Sequence, residues 1–424
     1  MRLPSDLEVL RLRDFRLVFG AALVSLVGDG VLPVALAFAV LDLTGSATDL
    51  GIVLAARTVA LVGALLVGGV VADRAGRRMV MISADLARLA AQGVIGVLLV
   101  SGDATVAEIA VSQVVLGAAS GFFNPASSGL IPAVAEERLR QANALRGMAT
   151  AAGSLAGPAI AGVLVVTAGP GWALLIDAAS YGVSALLLAR VRRDVDDPAA
   201  SDARFLADLR DGFAEVRSRT WVWATIVAFS LLTTFALAFP VLGAVVARRQ
   251  LGGAGAWAAI LVARAAGALI AGTSLLRLAP RRPLLVATLA GMVTALPTIL
   301  LAIPAPLAVI AVGALVSGIG PMVFNTLWET TLQHHIPPSA RSRVSAYDWL
   351  GSMALQPVGY ALIGPLATAV GVPAALYLCG GVEFAVLALL LTVPDIRTLP
   401  PRPRERVVAV QRSGVPPSRH TSKR

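Results

Sequence analysis

Gly69-Val70-Val71-Ala72-Asp73-Arg74-Ala75-Gly76-Arg77-Arg78 is a charged turn between two apolar runs, one ending near residue 72 and the next beginning at Met79. Each run is close to the ~20 residues needed to cross a ~30 Å hydrocarbon core. Arginine does not lose its proton in proteins, so Arg74, Arg77 and Arg78 hold this turn in water, and short basic loops normally face the cytoplasm. Gly76 suits the positive φ of a tight turn and Gly69 suits close approach of another backbone. Asp73 is left at the membrane edge, suited to an arginine or a helix N-terminus.

The rest of the chain repeats this pattern. With 57% hydrophobic and 14% charged residues among 424, and a mean hydropathy of +0.80, the sequence is that of an integral membrane protein. Apolar runs fall near 15–41, 48–72, 79–100, 105–126, 144–167 and 171–190, then near 221–247, 253–278, 283–303, 306–330, 346–370 and 372–394. The first is longer than the ~7–15 residues of a signal-peptide core and is read as a retained helix. The organisation expected is a cytoplasmic N-terminus over 1–14, a six-helix bundle over 15–190, a linker over 191–220, a second six-helix bundle over 221–394, and a disordered basic cytoplasmic tail over 395–424. Phe205, Leu206, Leu209 and Phe213 recur at helical spacing, so the linker reads either as a surface amphipathic helix or as a solvated connection.

The net charge of +10 lies in short loops and the tail, which fits membrane orientation and anionic headgroups and not a nucleic-acid partner. The one cysteine, Cys379, excludes disulfides within the chain, and the one lysine, Lys423, lies in the tail, so no P-loop can be built. No metal motif, catalytic pair or cofactor site stands out, which argues against an enzyme. Loops expected inside carry Arg138, Arg140, Arg190, Arg281, Arg282, Arg341 and Arg343; Arg248 and Arg249, at the outer end of the seventh run, break that pattern.

Two ionisable residues stand deep in the first two runs. Asp29, in Gly28-Asp29-Gly30, is about 21 Å into the first at ~1.5 Å per residue, and Arg57 enters the second from the opposite side to a similar depth. Such residues cost at least ~2.5–3.5 kcal/mol to insert and face a cavity or a partner. An Asp29–Arg57 ion pair is the expectation, either as a proton-operated switch or as a permanent packing element. Arg57 has a repeat mate: Ala56, Arg57, Ala60 and Ala64 correspond, 207 residues on, to Ala263, Arg264, Gly267 and Ala271. Phe123-Asn124 is echoed by Phe324-Asn325. Duplication of this kind builds many secondary transporters, with substrate sites between the halves near mid-membrane. Arg264 is then placed to bind an anionic group or to pair across the interface. Asp85 and Arg88 sit at i, i+3 and pair most simply with each other. Asp177 and Glu383 rank below Asp29.

Small residues form ridges at Ala56, Ala60, Ala64, Gly68 and Ala72 and at Ala149, Gly153, Gly157 and Ala161, where helices can approach closely. Pro158 interrupts the second with a kink.

The quoted turn resembles the loop between helices 2 and 3 of the major facilitator superfamily, Gly-x-x-x-Asp-Arg-x-Gly-Arg-Arg, at every defined position. That resemblance implies an all-α fold of twelve transmembrane helices in two pseudo-symmetric bundles, and gives Gly69, Asp73, Arg74, Gly76, Arg77 and Arg78 the role of a conformational latch. Gly153, Gly157, Pro158 and Gly162 resemble the helix-5 element of the drug:proton antiporters in that family, with Ala161 replacing one glycine. Ser25-x-x-Gly28-Asp29, Ala55-Ala56-Arg57-Thr58 and Asn143-Ala144-Leu145 look most like the branch of macrolide-efflux proteins and catecholate-siderophore exporters.

The function implied is proton-driven export of amphiphilic small molecules by alternating access, from a monomer in the inner (plasma) membrane with both termini cytoplasmic. Phe235, Phe239, Phe324 and Trp328 would serve an apolar substrate cavity or helix packing equally well. An uptake symporter, or a non-transporting scaffold or sensor, shares much of the same pattern.

Overall fold

A computed structural model of the chain describes residues 5–135, 137–192, 213–275 and 280–401. The linker over 193–212, with most of its expected amphipathic helix, and the tail over 402–424 lie outside the described residues. Twelve helices among the described residues are long and apolar enough to cross a membrane. In the first half they are α1 (Arg13–Thr44), α2 (Ala47–Ala75), α3 (Arg77–Ser101), α4 (Val106–Ala135), α5 (Leu139–Ala168) and α6 (Pro170–Ala189). In the second they are α7 (Thr220–Gln250), α8 (Ala254–Leu275), α9 (Pro283–Leu300), α10 (Leu307–His335), α11 (Arg343–Val370) and α12 (Val372–Leu390).

Prolines explain why three of these helices are interrupted. A proline has no N–H to give the carbonyl four residues back. α7 breaks at Leu237, just before Pro240. α9 tightens to a 3₁₀ turn over Val293–Ala295, ahead of Pro297. α11 breaks at Leu355, ahead of Pro357. Turns between helices use glycine: Gly45 closes α1 at φ 65° and Gly76 joins α2 to α3 at φ 82°, and the Ser46 side chain caps α2 by accepting from the Asp49 N–H at 3.1 Å.

The two halves pack alike, α2 against α4 as α8 against α10, and α3 against α4 as α9 against α10. In α2 and α4, Gly117 lies against the Arg57 carbonyl; in α8 and α10, Gly318 lies against the Arg264 carbonyl. This equivalence gives the sequence repeat a physical meaning, since only glycine tolerates a backbone at that distance.

The apolar core shows how the halves meet. At the end carrying the α1–α2 turn, one continuous cluster holds Leu36, Leu50 and Ala161 of the first half with Phe239, Trp257 and Ile363 of the second. At the end carrying the α2–α3 turn there are two separate clusters. One contains Phe15, Leu130 and Leu188, the other Trp221, Phe324 and Leu390. The bundle is therefore a wedge, joined at one end and parted at the other. At the joined end α2 meets α11 and α5 meets α8: Gly51 lies against the Tyr360 carbonyl, Gly364 against the Thr48 backbone, and a Cβ on Gly162 would stand 2.5 Å from that of Ala258.

Candidate functional site

Between the parted halves lies a cavity of about 610 Å³, bounded by α1, α5, α8 and α10. Asp29 is on the first-half wall and Arg264 on the second-half wall, with Thr150, Ser154 and Asn325 as the other polar lining. Three of its lining residues, Pro33, Pro158 and Pro321, are prolines inside helices. Each leaves the carbonyl four residues earlier without its intrahelical donor; for Pro33 that carbonyl belongs to Asp29.

The helix-5 element positions Asp29. A Cβ on Gly30 would meet the Gly153 carbonyl and come within 3.0 Å of Gly157 Cα, and Gly157 in turn lies against the Gly30 backbone. Gly153 rests on the Leu26 carbonyl. These contacts bring α1 and α5 together on either side of Asp29, while Pro158 lines the cavity and Gly162 reaches α8.

The expected Asp29–Arg57 ion pair is not formed. Asp29 Oδ1 instead accepts a hydrogen bond from Tyr181 Oη at 2.6 Å. Arg57 acts through space on Asp177 and on Tyr360. The reason lies in packing: α1 rests on α5 and α6, whereas α2 rests on α4 and α11, so the two residues share a depth and not a face.

Behind Asp29 runs a buried polar seam between α3 and α6. Gln92 Nε2 donates to Asp177 Oδ2 at 3.0 Å, the Arg88 guanidinium stands over the Tyr181 ring at 5.3 Å, and Ser184 Oγ donates to Asp85 Oδ2 at 2.6 Å. Arg88 also pairs with Asp85 at 3.3 Å, as their spacing predicts, and lies over Phe123 at 4.5 Å. Sequence reasoning ranked Asp177 and Glu383 below Asp29 and passed over Gln92, Tyr181 and Thr298. A signal was present: Asp85, Arg88 and Gln92, and likewise Asp177, Tyr181 and Ser184, recur at three- and four-residue steps and so form one polar stripe on each helix. In the second half Glu383 of α12 is buried and receives Thr298 Oγ1 of α9 at 3.5 Å. Arg264 lies over the Phe239 ring at 5.0 Å and acts through space on Glu383.

The four aromatic residues expected at the cavity do not line it. Phe239 is buried against Trp257, Phe324 stacks on Phe229 at 4.7 Å, and Trp328 packs edge-on against Trp221 and donates to Asp348 at 3.0 Å. Phe235 packs on the shared core. Only Phe239 bears on the cavity, by carrying Arg264.

At the α2–α3 turn Arg77 bridges Asp73 at 3.2 Å and donates to the Gly129 carbonyl of α4 at 2.9 Å. Arg78 caps the end of α6, donating to Leu188 O at 3.0 Å and Ala189 O at 2.6 Å. Arg74 is exposed. Gly69 has nothing within 4 Å of a Cβ position, so the close approach expected there belongs to its neighbour Gly68, on which a Cβ would stand 2.5 Å from the Gly121 carbonyl oxygen. Arg248 and Arg249, unexplained in the sequence, bind across the halves at the joined end, to Asp42 Oδ1 at 3.1 Å and to the Gly45 carbonyl at 3.5 Å.

Twelve membrane-crossing helices, duplicated in two halves around a charged central cavity, define a membrane transporter. The chain belongs to the major facilitator superfamily, whose family model matches residues 18–355. It is similar to the multidrug efflux pump Tap of Mycobacterium tuberculosis (strain ATCC 25618 / H37Rv), 30% identical over 384 residues, covering 84% of this chain and 88% of that one. It is 34% identical over 180 residues to the enterobactin exporter EntS of Citrobacter koseri, covering 40% of each. Among solved structures, the nucleoside transporter NupG superposes with a TM-score of 0.71 at 11% identity, over 89% of this chain and 98% of that one. A POT family transporter in complex with 5-aminolevulinic acid gives 0.72 at 12% identity, over 91% and 96%. These likenesses show that the chain shares their fold.

Proposed function

We propose that this protein exports amphiphilic small molecules across the inner membrane in exchange for protons, by alternating access. The observation that carries the reading is the central cavity, with Asp29 and Arg264 on opposite walls and the halves joined at one end only. Basic loops gather at the parted end, at Arg77, Arg78, Arg138, Arg190 and Arg281, and by the positive-inside tendency that end and both termini face the cytoplasm. An exporter loads from there. The names of the relatives, a multidrug efflux pump and an enterobactin exporter, support the same direction and small-molecule substrates.

In this reading Asp29 is the coupling carboxylate, held by Tyr181. Arg57 and Arg264 bias the two halves electrostatically, and the α2–α3 turn through Gly69, Asp73, Arg74, Gly76, Arg77 and Arg78 is the latch. The chain works as a monomer of two domains, over 15–190 and 221–394, on small molecules and protons, without nucleic acid, cofactor or catalysis.

Proteoliposomes distinguish export from uptake whichever way the protein inserts. Antiport accumulates a macrolide or lipophilic cation in the lumen when the lumen is acidic. Accumulation only when the lumen is alkaline would identify an uptake symporter instead.

A further inference from the structure

Two hydrogen bonds, one in each half, are copies of each other. Gln92 and Asp177 stand 85 residues apart, and so do Thr298 and Glu383. Both members shift by 206 residues between the halves, one fewer than the 207 separating Arg57 from Arg264. Those arginines act through space on Asp177 and Glu383 respectively. The repeat thus retains a three-part set: an arginine on the second helix, an uncharged hydrogen-bonding side chain on the third, and a carboxylate on the sixth. Asp177 and Glu383 are 0% and 1% exposed, and in each one carboxyl oxygen, Oδ1 or Oε2, has no hydrogen-bond partner among the described residues.

Partner chemistry separates these two acids from the other buried one. Asp85 is bound by Arg88, and an arginine can only donate, so it suits the ionised carboxylate alone. An amide and a hydroxyl serve both forms. Gln92 gives its N–H₂ to a carboxylate or, turned over, accepts the O–H of a carboxylic acid, and the Thr298 hydroxyl rotates to do the same. Gln92 Oε1 has no partner among the described residues, so the acceptor required by the acid form stands ready. Among the described residues no arginine is paired directly with either acid, Arg57 and Arg264 acting only through space.

We propose that Asp177 and Glu383 are proton-binding sites, one per half, each taking a proton from water and returning it once per transport cycle. The timing rests on the transport reading; the binding does not. Asp177 Oδ1 lies 2.7 Å from a Cβ position on Gly28, whose neighbour Asp29 lines the cavity. The charged or titratable groups facing it are Asp29 from α1, Arg57 from α2, Arg88 from α3 and, on its own helix, Tyr181. Those around Glu383 are Arg264 from α8 and Cys379 on its own helix.

Infrared difference spectroscopy of the purified full chain, titrated with acid and base in the absence of substrate, reads the C=O stretch of un-ionised carboxyl groups. Among the titrating carboxyl components, one is expected to be lost in Asp177→Asn and another in Glu383→Gln, with both lost in the double variant. Gln92→Leu and Thr298→Val keep the acids and shift the titration midpoint of their own component only, which covers the case of an acid variant that does not fold. Loss of no component, or of only one across the two variants, overturns the twin sites. So does a titration that shifts when sodium replaces choline in the buffer, since the bound cation would then be sodium. Absence of drug transport with both components present would count against export alone.

Discussion

Two ion pairs in this protein show how environment decides what a charge contributes. Asp85 and Arg88 are buried, their side chains 0% and 4% exposed, whereas Asp42 and Arg248 are 49% and 35% exposed. Removing one member of a buried pair leaves an uncompensated charge and costs about 3–5 kcal/mol; an exposed pair is worth about 0–1 kcal/mol. Thermal unfolding of the purified protein should therefore show a large loss in Asp85→Ala and almost none in Asp42→Ala. Equal losses would mean that the seam is open to water. The Asp85–Arg88 pair was legible in sequence because both partners share one helix. The Tyr181–Asp29 bond was not, because its partners are 152 residues apart and nothing in α1 alone tells which helix its carboxylate will face. Depth could be counted along each apolar run, and facing could not, which is why Arg57 was matched to Asp29 and proved to belong elsewhere.

At the scale of elements, contact between α1 and α5 depends on three glycines, Gly30, Gly153 and Gly157. Gly157→Val drives a side chain into the Gly30 backbone, and overpacking of this kind costs about 1–3 kcal/mol or more where backbone cannot yield. Gly63, with nothing within 4 Å of its Cβ position, should accept alanine with little change in melting temperature. A neutral Gly157→Val would remove the packing role assigned to the helix-5 element. The elements themselves were readable, because the thickness of the bilayer fixes their length and the alternation of apolar run and charged turn fixes their number. Their ends were less so: α4 runs on to Ala135 and α10 to His335, beyond the apolar runs, because a helix continues wherever its backbone bonds do. Aromatic residues misled for a related reason. Phe324 and Trp328 look suited to an apolar ligand, but each finds an aromatic partner on α7, and that choice is made between helices.

For the whole molecule, the alternating access proposed above requires the joined end of the wedge to part. The Asp42–Arg248 pair is too weak to hold it, so closure rests on the packed contacts of α2 with α11 and α5 with α8. A cysteine at each of Val166 and Gly255, where a Cβ on Gly255 would lie 3.8 Å from Val166 Cγ2, introduced with Cys379→Ser, should form a disulfide that stops transport until it is reduced. Undiminished transport by the oxidised protein would show that this end does not open. The repeat that relates the halves was visible at Arg57 and Arg264, but its deeper content, a hydrogen-bonded carboxylate in each half, appears only once α3 meets α6 and α9 meets α12. Collapse of a preset pH gradient in everted membrane vesicles, on adding macrolides, lipophilic cations and catecholate siderophores, tests proton-coupled export most directly. At least one compound should release protons through the wild type and none through Asp29→Asn. Release that is equal in both, or absent from a folded wild type across the whole panel, would contradict it.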